Sequence, residues 1–214
     1  MADERTILRA LLDRAATTYA EQAGIRLRDT PAPLYRLLVL SVLLSTRIKA
    51  DIAVDAARSL ADAGMGTPGK MRAASWQERV DALGRASYKR YDESTATALG
   101  DGADLLHREY RDDLRRLRDR ADGDPGRVRD ALTAFPRLGP VGADIFCREV
   151  QDVWPSVRPA IDGKALDGAR RVGLTADAGE LARLAPGSRL APVSAALVRV
   201  ALDESLAEEV RTAA

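Results

Sequence analysis

Between Phe135 and Asp144 the sequence reads FPRLGPVGAD. Two glycines three apart, Gly139 and Gly142, bracket Pro140 and Val141, and the flanking segments are patterned as helices. Glycine reaches positive φ and proline fixes its own φ, so this spacing predicts a tight helix–turn–helix hairpin. The N–H groups of such a turn, and of the first turn of the second helix, have no partner inside the chain and point outward. With the helix dipole behind them they can hold an anion without any side chain. A DNA phosphate is such an anion, and that contact would position a protein on the strand without reading sequence. An ordinary connection between two antiparallel helices would use the same residues, and the decapeptide alone leaves both readings open. A second stretch, Arg85-Ala86-Ser87-Tyr88-Lys89-Arg90-Tyr91, interleaves cations with aromatics. That suits a loop facing nucleic acid, with phosphates for the cations and a base or an intercalation site for a tyrosine. The other reading packs the tyrosines back onto the core.

Composition narrows the rest. The 214 residues suit one domain or two small lobes. A formal net charge of +1 does not announce a nucleic-acid partner, so any such binding requires Arg and Lys segregated onto one face. Cys147 is the single cysteine and His107 the single histidine. One thiol cannot form an internal disulfide, a cysteine zinc site or an iron–sulfur cluster. A histidine metal cage is excluded as well, and a Ser-His-Asp triad would rest on His107 alone. No metal ligand set is expected. The N-terminus, MADERTIL, carries no apolar signal region, and the apolar run Leu37–Leu44 is far shorter than the ~20 residues that span a bilayer. The expectation is a cytoplasmic protein, without a membrane partner and associated with the nucleoid.

The elements that must position these residues read as helices. Aromatics are 4% and β-branched runs are short, which favours an all-α fold. Apolar spacing predicts helices over about 4–23, 33–46, 50–63, 92–108, 126–135, 141–151, 162–172 and 191–212. LYRLLVLSVLLS is apolar nearly all round and belongs at the centre of a bundle. GMGTPGK (64–70) reads as a loop without phosphate-loop spacing. Ser75 with Glu78 is a capping-box signature opening a short helix. The Arg/Asp alternation over 108–130 reads as a solvated helix face laced with i,i+4 pairs. Trp76, Trp154 and Cys147 read as core.

The hairpin resembles that of the endonuclease III-like DNA glycosylases, the helix-hairpin-helix superfamily whose pattern is close to LPGVGxxTA. Phe135-Pro136-Arg137-Leu138-Gly139-Pro140-Val141-Gly142-Ala143 follows it, with Arg137 in place of the first glycine. LLSTRIKADIAVDAARSL (43–60) resembles the family's LLSxQxxD helix–loop–helix, with Asp51 one residue late. Ile161-Asp162, after a Trp-Pro, stands where the family has a V-D motif with a catalytic aspartate. The match touches most of the chain from about 34 to 174. It implies an all-α, two-lobed fold: a helical barrel over 30–149 carrying the hairpin (about 128–150), and a second lobe from 1–29 plus 150–214, with a cleft between them for a flipped nucleotide.

The resemblance implies that Asp162 stabilises positive charge developing on a deoxyribose and orients water, although an aspartate before Gly163 also suits a helix cap. Lys164, two residues on, could touch a phosphate or serve as a displaced amine nucleophile. Arg47 aligns with the residue that fills the hole left by a flipped base; the alternative is a surface arginine. Arg47, Tyr88, Lys89, Arg90, Arg137, Gly139, Val141 and Gly142 form the expected DNA-binding set, and Arg170 and Arg171 could extend it. The family's lyase lysine aligns with Val141, or with Gly142 in a shifted register, so the resemblance implies a monofunctional glycosylase of base-excision repair and not a lyase. No cofactor and no iron–sulfur cluster are expected, and the hairpin leaves room for a monovalent cation. The expected partner is double-stranded DNA with a damaged or mismatched base, bound by a monomer. Two rivals remain at this point: a helix-hairpin-helix DNA-binding protein without catalysis, and a helical scaffold with no nucleic-acid role.

Overall fold

The computed structural model describes residues 3–214, and among them every regular element is helical. In chain order the α-helices are α1 Glu4–Ala15, α2 Tyr19–Gln22, α3 Pro31–Leu44, α4 Ala50–Leu60, α5 Pro68–Ala73, α6 Trp76–Arg85 and α7 Asp92–Tyr110. They continue with α8 Arg115–Arg120, α9 Pro125–Thr133, α10 Gly139–Val150, α11 Gly163–Val172, α12 Ala178–Leu184, α13 Leu190–Leu202 and α14 Glu204–Ala213. None of the described helices is long and apolar enough to cross a membrane.

The contacts divide the chain into two compact units, Met1–Tyr19 with Cys147–Ala214, and Ala20–Phe146. The first division falls earlier in the chain than the 29/30 boundary that the resemblance implies. The second lies inside α10. In the Ala20–Phe146 unit α3 is the central helix: Leu34, Tyr35, Leu37, Leu40 and Leu43 are buried to 2% exposure or less. Its apolar surface runs all round because neighbours surround it. Pro31 and Pro33 sit in its first turn, where a missing N–H costs nothing. In the other unit α13 holds the centre, with Val193, Ala196, Leu197 and Val200 packed against Ile7, Leu8 and Leu11 of α1, Ala165, Ala169 and Val172 of α11, and Ala207 and Val210 of α14.

Local chemistry overrides several periodicity-based expectations. The helix expected over 4–23 breaks at 16–18, because tertiary partners replace intrahelical ones: the Thr17 carbonyl accepts from Arg199, and the Tyr19 N–H donates to Glu149. The expected loop at 64–70 contains α5, started by Thr67, whose hydroxyl accepts from the Lys70 N–H, with Pro68 at the first helical position. The last expected helix, 191–212, divides at Asp203, which leaves helical φ/ψ and caps α14 through the Leu206 N–H. Residues 108–130 are not one face with i,i+4 pairs. Arg111, Asp112 and Asp122 adopt left-handed φ and break the segment. The ion pairs there join Arg115 to Asp113, Arg118 to Asp29 and Asp119, Arg120 to Glu109, and Arg127 to Asp122. Both halves of the Ser75–Glu78 capping box are present. Trp154 and Cys147 are buried as expected, whereas Trp76 is 40% exposed and donates its indole N–H to Thr97.

The tightest helix crossing is α11 on α13. A Cβ added at Gly168 would lie 1.9 Å from the Leu197 carbonyl oxygen, a backbone atom that no rotamer change moves aside. Gly168→Ala should therefore destabilise by about 3 kcal/mol or more, read as a fall in the urea midpoint with unchanged slope. Unaltered stability would mean that the crossing is looser than this geometry.

Candidate nucleic-acid interface and the Asp162 carboxylate

The hairpin lies between α9 and α10. Asp124 starts α9 by accepting from the Arg127 N–H, and Pro125 occupies its first position. Phe135 and Leu138 turn into the core at 2% and 1% exposure, so the turn is anchored by burial on both sides of Pro136. Phe135 also stacks on Tyr110 with ring centroids 6.4 Å apart. Between these anchors the backbone must reverse, and it does so through two left-handed residues, Arg137 at φ 62° and Gly139 at φ 57°. Gly139 adopts this conformation freely. Arg137, in place of a glycine, carries about 1–2 kcal/mol of strain.

Gly142 matters for a different reason. A Cβ there would lie 2.8 Å from the Leu138 side chain and 3.3 Å from Ser45 Cβ. Its bareness lets α10 approach the end of α3, where the Ser45 hydroxyl has two carbonyl acceptors for its one proton, Val42 at 2.7 Å within α3 and Arg137 at 2.9 Å across the contact. The N–H groups of Gly139 and Val141 find no acceptor among the described residues, while Gly142 N–H already donates to Leu138. Pro140 has no N–H, and Val141 is 61% exposed. Two outward donors at a helix start are what an anion contact requires.

Three segments of the Ala20–Phe146 unit converge here. The α3–α4 bend carries Arg47 exposed, flanked by Ser45 and by Thr46, whose hydroxyl lies 2.8 Å from the Tyr88 hydroxyl. The α6–α7 loop brings Lys89 and Arg90, both exposed, and Tyr91, half-buried. The hairpin brings Arg137, whose guanidinium donates to the Ser94 hydroxyl at 3.1 Å and lies 5.6 Å from the Tyr91 ring centroid. Arg90 lies 5.3 Å from the same centroid.

Tyr88 does not belong to the surface. It is fully buried, and its phenol serves to tie the α6–α7 loop to Thr46. A base cannot reach a ring enclosed in this way. The expectation that places Tyr88 in the DNA-binding set does not fit this burial; the tyrosine of RASYKRY beside the cations is Tyr91. Ser45, Thr46, Tyr91 and Ser94, outside the expected set, hold these segments together. LLSTR already held two of them, but a hydroxyl next to an arginine carries no signal of its tertiary partner.

In this unit the arginines at 58, 72, 115, 118, 120, 127 and 129 each meet a carboxylate. Arg47, Lys49, Lys89, Arg90 and Arg137 meet none within 4 Å among the described residues, and neither do Arg26, Arg28, Lys70, Arg85, Arg108, Arg111 and Arg116, so what sets the hairpin apart is the grouping of such cations beside two open backbone donors. His107, exposed, lies 2.9 Å from Asp112, with no serine in a triad arrangement.

Asp162 lies in the other unit. It is the N-cap of α11: its side chain accepts from the Ala165 N–H at 3.0 Å. Its second oxygen is paired with Arg148 near the end of α10, and the two side chains are only 14% and 8% exposed. The backbone before it is fixed by Gln151, which exchanges hydrogen bonds with the Ala160 N–H and carbonyl and donates to Ser194. Asp152 accepts from Leu190 N–H and Arg158, closing a polar cluster around this loop. Arg148 was not foreseen; the charged pair Arg148-Glu149 at the end of the run IFCREV is its only sequence trace. Lys164 is exposed on the first turn of α11. Arg170 pairs with Asp167 and Arg171 with Glu204, so neither offers an unpaired charge. No group of three His, Cys, Asp or Glu side chains that could hold a metal occurs among the described residues.

No family model matches the sequence, and no curated protein matches it either. Among solved structures the chain is similar to one described as a trapped endonuclease III–DNA covalent intermediate in an estranged-adenine complex. The TM-score is 0.51 at 16% identity, over 92% of this chain and 85% of that one. The fold is endonuclease III-like. At this identity the likeness is one of fold, and it spans both units of the chain.

Arg137 separates strain from function. Replacing it with glycine removes left-handed strain but loosens the unfolded chain and deletes two exposed contacts, and these terms nearly cancel. Arg137→Gly should unfold within about 1 kcal/mol of wild type in urea, whereas Gly139→Val, a branched residue at φ 57°, should lose about 2 kcal/mol. Equal losses in both would mean that the turn is not held as described.

Proposed function

We propose that this chain is a divergent member of the helix-hairpin-helix glycosylase superfamily that binds duplex DNA through the surface formed by residues 45–49, 86–94 and 136–142. The observation that carries this reading is the convergence of unpaired Arg47, Lys89, Arg90 and Arg137 with the open N–H groups of Gly139 and Val141. Backbone N–H groups would take one phosphate and the cations its neighbours, which favours binding that is largely independent of sequence. Arg47, at the tip of the α3–α4 bend, would enter the stack where a damaged or mismatched base leaves it.

The finer reading is hydrolysis of the N-glycosidic bond of that base. Val141 stands at the position of the family's lyase lysine, which favours attack by water over a covalent amine intermediate. Asp162 would act as a fixed negative charge facing the cationic sugar. Both of its oxygens already accept a hydrogen bond, so it suits electrostatic stabilisation better than proton abstraction. The Arg148 pairing also favours a second reading, a DNA-binding protein without catalysis, because the partner guanidinium offsets the charge that catalysis would use.

Affinity for a labelled duplex should fall with salt along a log–log slope of about −3 to −4, one counterion for each of four cations. A flat response excludes nucleic acid as the partner. Single-turnover reactions on duplexes bearing one damaged or mismatched base, followed by alkali, then separate the two catalytic readings. Alkali-dependent cleavage by wild type that is lost in Asp162→Asn supports the glycosylase; DNA binding without cleavage across the panel supports the binder. Asp162→Asn should itself lose about 3 kcal/mol of stability by leaving Arg148 without its anion, so both proteins must be assayed where thermal unfolding shows them folded.

A further inference from the structure

Tyr91 lies half-buried at the start of α7, with two guanidiniums against its ring. Arg90 and Arg137 are 5.3 and 5.6 Å from its ring centroid, so their charged carbons are at most about 11 Å apart. That upper bound lies beyond the Debye length of about 8 Å at physiological salt, so their repulsion is weakened but not abolished, and neither arginine meets a carboxylate among the described residues. Two such cations repel and, on flexible stems, would separate. Three features hold them instead. The ring quadrupole attracts both. The Arg137 backbone is set by its left-handed φ and by the Ser45 hydroxyl on its carbonyl. Its guanidinium donates to Ser94, whose hydroxyl lies 3.1 Å from the Tyr91 carbonyl. A guanidinium carries five N–H donors, and Arg137 uses one of them on Ser94, leaving the rest for a ligand.

We propose that Tyr91 is a positioning residue that presets Arg90 and Arg137 as a paired anion clamp for phosphates of the DNA backbone, and that its ring does not stack on a base. The clamp rests on the DNA-binding reading given above and adds a residue to it. Because the ring is already engaged by two cations, an incoming base would have to displace them, whereas a phosphate relieves their mutual repulsion. The clamp therefore contributes affinity without sequence or lesion preference. It lowers the cost of binding, since the side chains lose less freedom when the strand arrives.

Duplex affinity across a salt series, for wild type, Tyr91→Phe, Tyr91→Leu and Arg137→Gly, tests this with both a fully paired duplex and one containing an unpaired base. Tyr91→Leu should weaken binding about threefold to tenfold on both duplexes with the salt slope unchanged, because the cations remain but are no longer preset. Tyr91→Phe keeps the ring and should restore wild-type affinity. Arg137→Gly should lower the magnitude of the slope by about 1. The clamp is overturned if Tyr91→Leu binds as wild type does, if Tyr91→Phe loses as much as Tyr91→Leu, or if the loss is confined to the duplex with the unpaired base, which would make Tyr91 a stacking platform. Wild type that shows no salt-dependent binding rejects the DNA-binding reading and the clamp together; salt-dependent wild type with an indifferent Tyr91→Leu rejects the clamp alone.

Discussion

The reversal of the chain at Arg137–Gly139, tied to α3 by the Ser45 hydroxyl, is the constraint on which the interface depends. The hydrogen bond alone does not stabilise it enough. A partly exposed hydroxyl–carbonyl bond contributes about 1 kcal/mol, no more than the left-handed strain of Arg137 costs. Burial decides the balance. Phe135 and Leu138 enter the core on either side of the turn, each worth roughly 2–3 kcal/mol, and Pro136 and Arg137 between them must follow. The Ser45 hydroxyl, whose one proton also meets the Val42 carbonyl at 2.7 Å, adds a directional contact between the turn and the bend that carries Arg47. Gly142 is the steric condition for that bond, since a side chain there would meet Leu138 and Ser45.

The Asp162 end obeys a different rule. Arg148 and Asp162 form a nearly buried pair, and burying two charges costs about as much as their attraction returns. Such a pair is weak evidence for stability and better evidence for a required geometry. The surroundings agree: Gln151, Asp152, Arg158 and Ser194 spend their hydrogen bonds on fixing one short loop. This apparatus goes beyond what a helix cap needs, because an exposed aspartate such as Asp203 caps α14 without it.

The all-helical class was legible, because the absence of β-branched runs and the all-round apolarity of α3 leave few alternatives. The hairpin was legible for a related reason: glycine and proline at fixed spacing restrict φ locally, and no tertiary partner is needed to read them. Helix ends such as the break at 16–18 were not legible. There the intrahelical acceptors and donors are replaced by Arg199 and Glu149, which are far away in sequence. Tyr88 and Tyr91 show the same limit within one loop. They have the same chemistry and stand three residues apart, yet one phenol reaches Thr46 inside the core and the other ring has two arginines against it. Arg148 was hidden because its partner lies fourteen residues on, across a loop whose path depends on side chains that read individually as ordinary polar residues.

The near-neutral charge of the chain also acquires a physical meaning. With 33 basic and 32 acidic side chains there is almost no net field to draw a polyanion from a distance. Local grouping then decides. Around α8 and α9 most arginines are matched by nearby aspartates and glutamates, although Arg116 is not. Around the hairpin Arg47, Lys49, Lys89, Arg90 and Arg137 gather without a carboxylate partner beside two open backbone donors, so the potential there is local and positive although the sum is close to zero. Other exposed cations without a carboxylate, among them Arg28, Arg85 and Arg116, stand elsewhere on this unit. What would distinguish the hairpin for a polyanion is therefore the grouping of cations with backbone donors, not pairing elsewhere.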